Sequence, residues 1–460
     1  AGRRTGALSP GERGSRVSVK SEQRETIAQR AVERSRADQT EVRVSFSDES
    51  LTRFTHGISN QNVAANNVTI SIRAIVNGRT GVATSNDPGD AAVDALLAQA
   101  LDMASFAPSD PLVPKLPLGG PTQVPSGCYV EATASCDPAA RAAIADAILT
   151  RAEREHYWCA GYVSTSSGGT TIANSSGALA SFDGTDARVN VKATAPDSTG
   201  FAEHYTADVR ELDGSDAGAR AVDLARASAH PRAVEPGQWT VILEPPAFGE
   251  LLTYLLTHFS AQNFSEGSSF CSDGLDRSYF DERVTIGDDY SHPLAPAMPF
   301  DYEGQPKSKV ALVNAGVVRN IVTDSYYANK LDRPDTGHAL PAPNTYGPQP
   351  LNIVVAPGTQ STQDLIANTK RGLLISRFWY IRTVDQKRAI VTGMTRDGTF
   401  LIENGKIAGG VRNMRFNQSI VEALGSVEFS NVQKRTGQYY SLVVPTAKVD
   451  RFTFTSTTDF

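Results

Sequence analysis

Cysteine is scarce in this 460-residue chain: only Cys128, Cys136, Cys159 and Cys271 occur, with no C-x-x-C pair. That excludes a disulfide framework and reads as reduced thiols in a cytoplasmic setting. No run of about eighteen apolar residues is present, so no membrane-spanning helix is expected. The opening AGRRTGALSPGERGSR lacks the apolar core of a secretory signal, and residues 1–18 read as a disordered tail. Basic charge is not in excess. Lys and Arg number 44 against 50 Asp and Glu, a net charge of -6, which gives no nucleic-acid footprint. Catalytic signatures are missing too: no H-E-x-x-H, no G-x-S-x-G, and no P-loop lysine after Gly409-Gly410.

What is present is a soluble, core-forming composition, 40% hydrophobic and 20% charged, in a chain long enough for two domains. Residues 19–37 favour a helix packed through Ile27, Ala28, Ala31 and Val32. EVRVSFSDES and ESLTRFTHGIS alternate as strands and predict a hairpin between them. VTISIRAIV and RTGVATS flank Asn77-Gly78, a strong hairpin signal. AAVDALLAQALDMASFA is an amphipathic helix, and the proline-rich residues 107–127 form a surface loop. A second helix, strand meander and helix follow, ending near Ala229. The repeated order raises internal duplication, although no residue-level repeat is visible. The breaker-rich stretch from His230-Pro231 to Pro236-Gly237 marks a domain boundary. The expected class is α+β: an N-terminal domain, 19–232, of helices on antiparallel sheets, and a C-terminal domain, 233–460, antiparallel and β-rich with a few helices. Within the latter, Asp397-Gly398 and Asn404-Gly405 read as hairpin turns.

The stretch from Trp239 to Ser269 organises the second domain. A buried strand meets Pro245-Pro246, and a helix begins where a missing N–H costs little. Leu251, Leu252, Leu255, Leu256 and Phe259 form its apolar stripe. Glu250, Tyr254 and His258 lie four apart and share a polar face, so they are candidates for acid/base or binding groups in a cleft. The plainer account is a solvated helix face. A zinc site drawn from His258, Cys271, His292 and His338 would match no standard spacing. Asp301 and Glu303, or Asp288 and Asp289, are candidates to bind a peptide amine or a cation, with loop solvation the simpler reading. Cys159 reads as a core thiol.

Taken in order, RVSFSDESLTRFTHG, SIRAIVNGRTGVATS, PGQWTVILEPPAFGELL, FSEGSSF, FDYEGQPKSKVALVNAGVVRNIVTDSYYANKL and GTFLIENGKIAGGVRNMRFNQSIVEAL resemble the TldD/PmbA (TldD/TldE) family over about 400 residues. In TldD-like members the helix carries H-E-x-x-x-H, which binds zinc with a late cysteine. Aligned on FSEGSSF, those positions are Leu252, Thr253 and Thr257, and GSVEFSNVQKRTGQ holds neither Cys nor His. Leu cannot coordinate zinc, and Thr is a weak neutral ligand. A zinc site is worth on the order of 10 kcal/mol; Leu252 instead offers roughly 1.5–3 kcal/mol of apolar burial.

The resemblance therefore implies a metal-free PmbA/TldE-like subunit with no catalytic residues or cofactor of its own. Zinc is expected in a TldD-like partner, the two together processing peptides or peptide-like natural-product precursors. A stand-alone homodimeric hydrolase, or another enzyme of natural-product biosynthesis, is the first alternative. A non-catalytic binding or regulatory protein is the second. Neither nucleic acid nor membrane is an expected partner.

Overall fold

The computed structural model describes residues 19–437 and 440–458; the expected tail, residues 1–18, lies outside them. Helix α1 (Ser21–Arg34) buries Ala28 and Ala31 and also Arg24, whose Nη2 meets Asp183 at 2.8 Å. β1 (Gln39–Thr55), β2 (Ile58–Val76) and β3 (Arg79–Ser85) run antiparallel, with turns at His56-Gly57 and Asn77-Gly78. All four turn residues have positive φ, which glycine and asparagine tolerate best. α2 (Asp90–Phe106) covers this hairpin through Val93, Leu96, Leu97 and Ala100.

The hairpin expected between EVRVSFSDES and ESLTRFTHGIS does not form. β1 is one continuous strand because Asp48, Glu49 and Ser50 are paired on both sides, by β2 and by β4 (Trp158–Asn174). A polar triplet inside an alternating run mimics a turn, but two flanking ladders outweigh it. α3 (Glu131–Ala134) and α4 (Pro138–Arg154) precede β4; β5 (Leu179–Ala195), β6 (Ser198–Thr206) and α5 (Gly214–Ala227) follow. Asp137 caps α4, its carboxylate accepting from Ala140 N at 2.8 Å. Among the described residues these strands make one six-stranded antiparallel sheet, ordered β3-β2-β1-β4-β5-β6. The fold is α+β, and the two helix-and-strand units share a single sheet.

The second sheet begins with β7 (Gly237–Leu243). β7 lies between the strands Arg371–Ile375, parallel to it, and Ser441–Thr457, antiparallel. Most pairings in this half are antiparallel as expected; a second parallel one joins Asn352–Val355 to Ser441–Thr457. Asn404-Gly405 turns a hairpin, Thr399–Glu403 onto Lys406–Gly410. Asp397-Gly398 does not: Ile390–Thr395 pairs with Phe378–Asp385 and Met414–Ser419, whereas Thr399–Glu403 pairs with Arg371–Ile375. Asp397 is buried and ion-paired, so its turn serves a charge cluster instead of a two-strand reversal.

The core of this half is aromatic. Phe452 stacks on Phe378 at 5.6 Å and meets Phe416 and Phe454 edge-on or tilted, each at 5.2 Å. All four rings are buried. Phe452→Ala is expected to cost about 3–5 kcal/mol, measured by calorimetry as a lower melting midpoint.

Candidate functional site

The sequence from β7 to the glycine loop folds as its apolar spacing dictates. Val241, Ile242 and Leu243 are fully buried, and Glu244 leaves the strand in extended conformation. Helix α6 (Pro245–Leu256) then starts on its two prolines. Ala247, Phe248, Leu251, Leu252, Leu255 and Leu256 face the core. Glu244 also ties the helix entrance to the first half, since Arg220 of α5 donates to its Oε1 at 2.8 Å.

At Gly249 the helix meets the strand Val427–Thr436 closely. An added Cβ there would stand 2.4 Å from Thr436 Cγ2, so only glycine admits the strand Val427–Thr436 against the helix. Thr436 donates its hydroxyl to Glu203 Oε1 at 2.6 Å, and Tyr205 donates to Glu203 Oε2 at 3.1 Å. β6, the late strand and α6 thus converge on one carboxylate. Burial pushes Glu203 above the ordinary carboxylate range, while the Thr436 and Tyr205 donors and Arg377 pull it back.

Glu250 borders this junction. Burial lifts its carboxyl to about 7; Arg377 opposes the shift and Glu203 adds to it. Arg377 is itself stacked on Phe201 at 4.0 Å and donates to Asp397 at 3.3 Å. Tyr254 donates its hydroxyl to the Ile381 carbonyl at 2.6 Å. Glu250 and Tyr254 therefore both turn toward the 377–381 segment.

His258 does not join them. The α-helix ends at Leu256, and His258 sits in the tighter turn Thr257–Phe259, only 1% exposed. Its Nδ1 accepts from Phe270 N at 3.3 Å, and its ring lies 5.2 Å from that of Phe270. Burial lowers its pKa to about 4, which keeps the imidazole neutral. The spacing argument carried a straight helix one turn too far.

Zinc does not fit the positions aligned with the metal motif. Leu252 is 1% exposed within the apolar core. Thr253 donates its hydroxyl to the Gly249 carbonyl at 3.0 Å, and Thr257 accepts from Gln386 Nε2 at 3.3 Å. One aliphatic group and two hydroxyls make no zinc donor set. Among the described residues, no three His, Cys, Asp or Glu side chains gather to hold a metal, His258, Cys271, His292 and His338 included. The four cysteines are buried free thiols.

A cavity of about 610 Å³ lies between the first sheet and the loops of the second half, a volume that suits a small ligand or peptide end. Arg73, Met103, Glu303, Asp324, Tyr326 and Leu340 are among its lining residues. Arg73 on β2 binds Glu41 at 2.5 Å and Glu303 at 2.9 Å. Glu303 also accepts from Ser325 N at 3.2 Å, and Asp324 from Tyr327 N at 2.8 Å. Burial lifts Glu41 to about 7 against the pull of Arg73, and Asp324 to about 6. Asp301, singled out with Glu303, shapes the loop by accepting from the amides of Glu303, Gln305 and Ala339. Asp288 pairs with buried His338 at 3.4 Å, and Asp289 with Lys309 at 3.1 Å. Arg73 and Asp324 escaped the sequence reading; the local signal that could have found Asp324 is its place as N-cap of the helix Ser325–Leu331.

Residues 236–456 match the PmbA/TldA metallopeptidase C-terminal domain, and residues 40–104 match the PmbA/TldA metallopeptidase domain 1. The chain belongs to the PmbA/TldD family. It is 33% identical over 138 residues to an uncharacterised protein of Methanocaldococcus jannaschii, covering 30% of this chain and 32% of that relative. Over 210 residues it is 24% identical to the zinc metalloprotease TldD homolog of Saccharolobus solfataricus, covering 42% and 43% of the two chains. The matches thus span less than half the length of both curated relatives.

Among solved structures, TldE from Thermococcus kodakarensis aligns with a TM-score of 0.85 at 20% identity, over 94% of this chain and 99% of that one. A Thermotoga maritima protein described as a candidate modulator of a DNA gyrase gives 0.83 at 18% identity, over 94% and 100%. At these identities the likeness speaks for the fold. Among the described residues no helix is long and apolar enough to cross a membrane.

Because the folded Glu250 pKa, about 7, exceeds its ordinary 4.5, the protonated form favours folding. That contribution is full below the ordinary value and lost as pH rises through about 7. Glu250→Gln is therefore expected to gain melting temperature relative to the parent between pH 5 and pH 8. Two parallel melting curves over that pH range would expose a failure.

Proposed function

We propose that this chain is the zinc-free subunit of a TldD/TldE-type peptidase, working beside a zinc-bearing TldD-like partner on peptides or peptide-like natural-product precursors. One observation carries the reading. The positions aligned with the family's metal motif are Leu252, in the core, and Thr253 and Thr257, already hydrogen-bonded. Family membership and the TldE-like fold support it. The role left to such a subunit is binding and enclosure. The cavity bounded by Arg73, Glu303 and Asp324 offers carboxylates to a peptide amine beside apolar surface. Excluding water there strengthens such contacts. The cytoplasmic setting belongs to the same proposal and rests on the four unpaired thiols.

A stand-alone enzyme is the second reading, favoured by Glu250, whose pKa near 7 suits a general acid or base. His258 does not support it, being enclosed and neutral.

Metal analysis and peptide hydrolysis by the purified chain decide between them. The expected result is no stoichiometric zinc and no hydrolysis alone, with hydrolysis appearing when a TldD-like subunit is co-expressed and co-purifies. One zinc per chain overturns the proposal. Hydrolysis by the chain alone that Glu250→Gln abolishes, with melting intact, establishes the second reading.

A further inference from the structure

A second cavity, of about 360 Å³, opens in the first half, where the turn between β1 and β2 meets the C-terminal end of α4. Leu149, Ala152 and the Cys159 thiol form its buried, apolar part. Burial pushes that thiol up to about 12, so it stays neutral. Tyr157, Trp158 and the two imidazoles of His56 and His156 form the rim. β4 begins at Trp158, two residues before its pairing with β1 starts at Ala160 opposite Thr55. Trp158 therefore stands beside the turn, 41% exposed, and its ring meets that of His56 edge-on with centroids 4.7 Å apart. Thr55 Oγ1 lies 3.1 Å from His56 Nδ1 and fixes that imidazole.

Glu153 brings the one carboxylate of the lining. Its Oε1 lies over the turn, since a Cβ added to Gly57 would stand 3.1 Å from it. The neighbouring cation Arg151 is already paired with Glu155 at 2.6 Å. Among the described residues Glu153 has no ion-pair partner. α4 ends at Arg154, so the negative end of its dipole falls in the same place and also favours a cation.

We propose that this cavity binds a methylated ammonium group, enclosed by the rings of Trp158, Tyr157 and His56 and balanced by the Glu153 carboxylate. Aromatic faces attract a cation through the ring quadrupole, and most strongly where water is displaced. A primary ammonium carries three donors that each require an acceptor, whereas the buried part of this lining is apolar. Methyl groups on the nitrogen remove that demand and add apolar surface to set against Leu149 and Ala152. An anion would meet Glu153 and the end of α4 instead. The volume lies at the small end of the range for ligand sites. The same head group occurs on free small molecules such as choline and on methylated lysine side chains. The inference goes beyond the zinc-free role and does not depend on it.

Titration calorimetry of the full chain tests the proposal with two methylated probes, choline and a short peptide carrying trimethyl-lysine. Two controls accompany them: 3,3-dimethylbutan-1-ol, the neutral isostere of choline, and the same peptide with unmodified lysine. At least one methylated probe is expected to bind saturably, and roughly tenfold or more tighter than its control. Tighter binding of choline makes a free small molecule the source of the head group, and tighter binding of the peptide a modified side chain; both support the site. Trp158→Ala is expected to weaken that binding roughly tenfold and Glu153→Gln roughly threefold. Glu153 is exposed, so Glu153→Gln is expected to melt with the parent and keeps the test decisive if Trp158→Ala misfolds. No saturable binding of either methylated probe, equal binding of the controls, or unchanged affinity in the folded variants overturns the proposal. Zinc content and hydrolysis play no part in these readouts, so failure here leaves the reading of α6 untouched.

Discussion

The contact between Gly249 and Thr436 governs how the two halves meet. With no Cβ on Gly249, the late strand lies against the first turns of α6. Thr436 then reaches Glu203 on β6. Three elements distant in sequence are so brought to one buried carboxylate. Lys192 of β5 extends the seam by pairing with Asp397 at 3.0 Å, and Arg435 extends it by donating to Asp186 at 2.6 Å. Apolar burial builds each half; this polar seam specifies how they are joined.

Helix α6 is packed as an apolar wedge. Leu252 and its neighbours fill the space over β7, while the threonines turn their hydroxyls back onto local acceptors and donors. Its own apolar burial stabilises the helix. What remains ionisable is displaced to the rim: Glu250 at the seam, and the carboxylates around Arg73 at the cavity.

Local signals in the sequence were dependable where one ladder or one helix face decided the outcome. The Asn77-Gly78 and Asn404-Gly405 turns, α2, and the proline entrance to α6 were legible for that reason. Legibility failed where a non-local partner intervened. Asp48-Glu49-Ser50 looks like a turn until β2 and β4 pair with it on both sides. Asp397-Gly398 looks like a hairpin until its strands find partners elsewhere. His258 shared a face with Glu250 only while the helix was taken to continue. The cavity was invisible because Arg73, Glu303 and Asp324 are far apart along the chain, and nothing in their own neighbourhoods signals that they meet.

Arg73 ties the two halves together at the cavity. One guanidinium holds Glu41 from within its own sheet and Glu303 from the opposite half. Widening the cavity by parting the halves would strip it of Glu303 and leave a half-neutralised cation in a dry crevice. The residue acts as a latch between the halves, so hinge-like gaping is resisted at the root of the cavity.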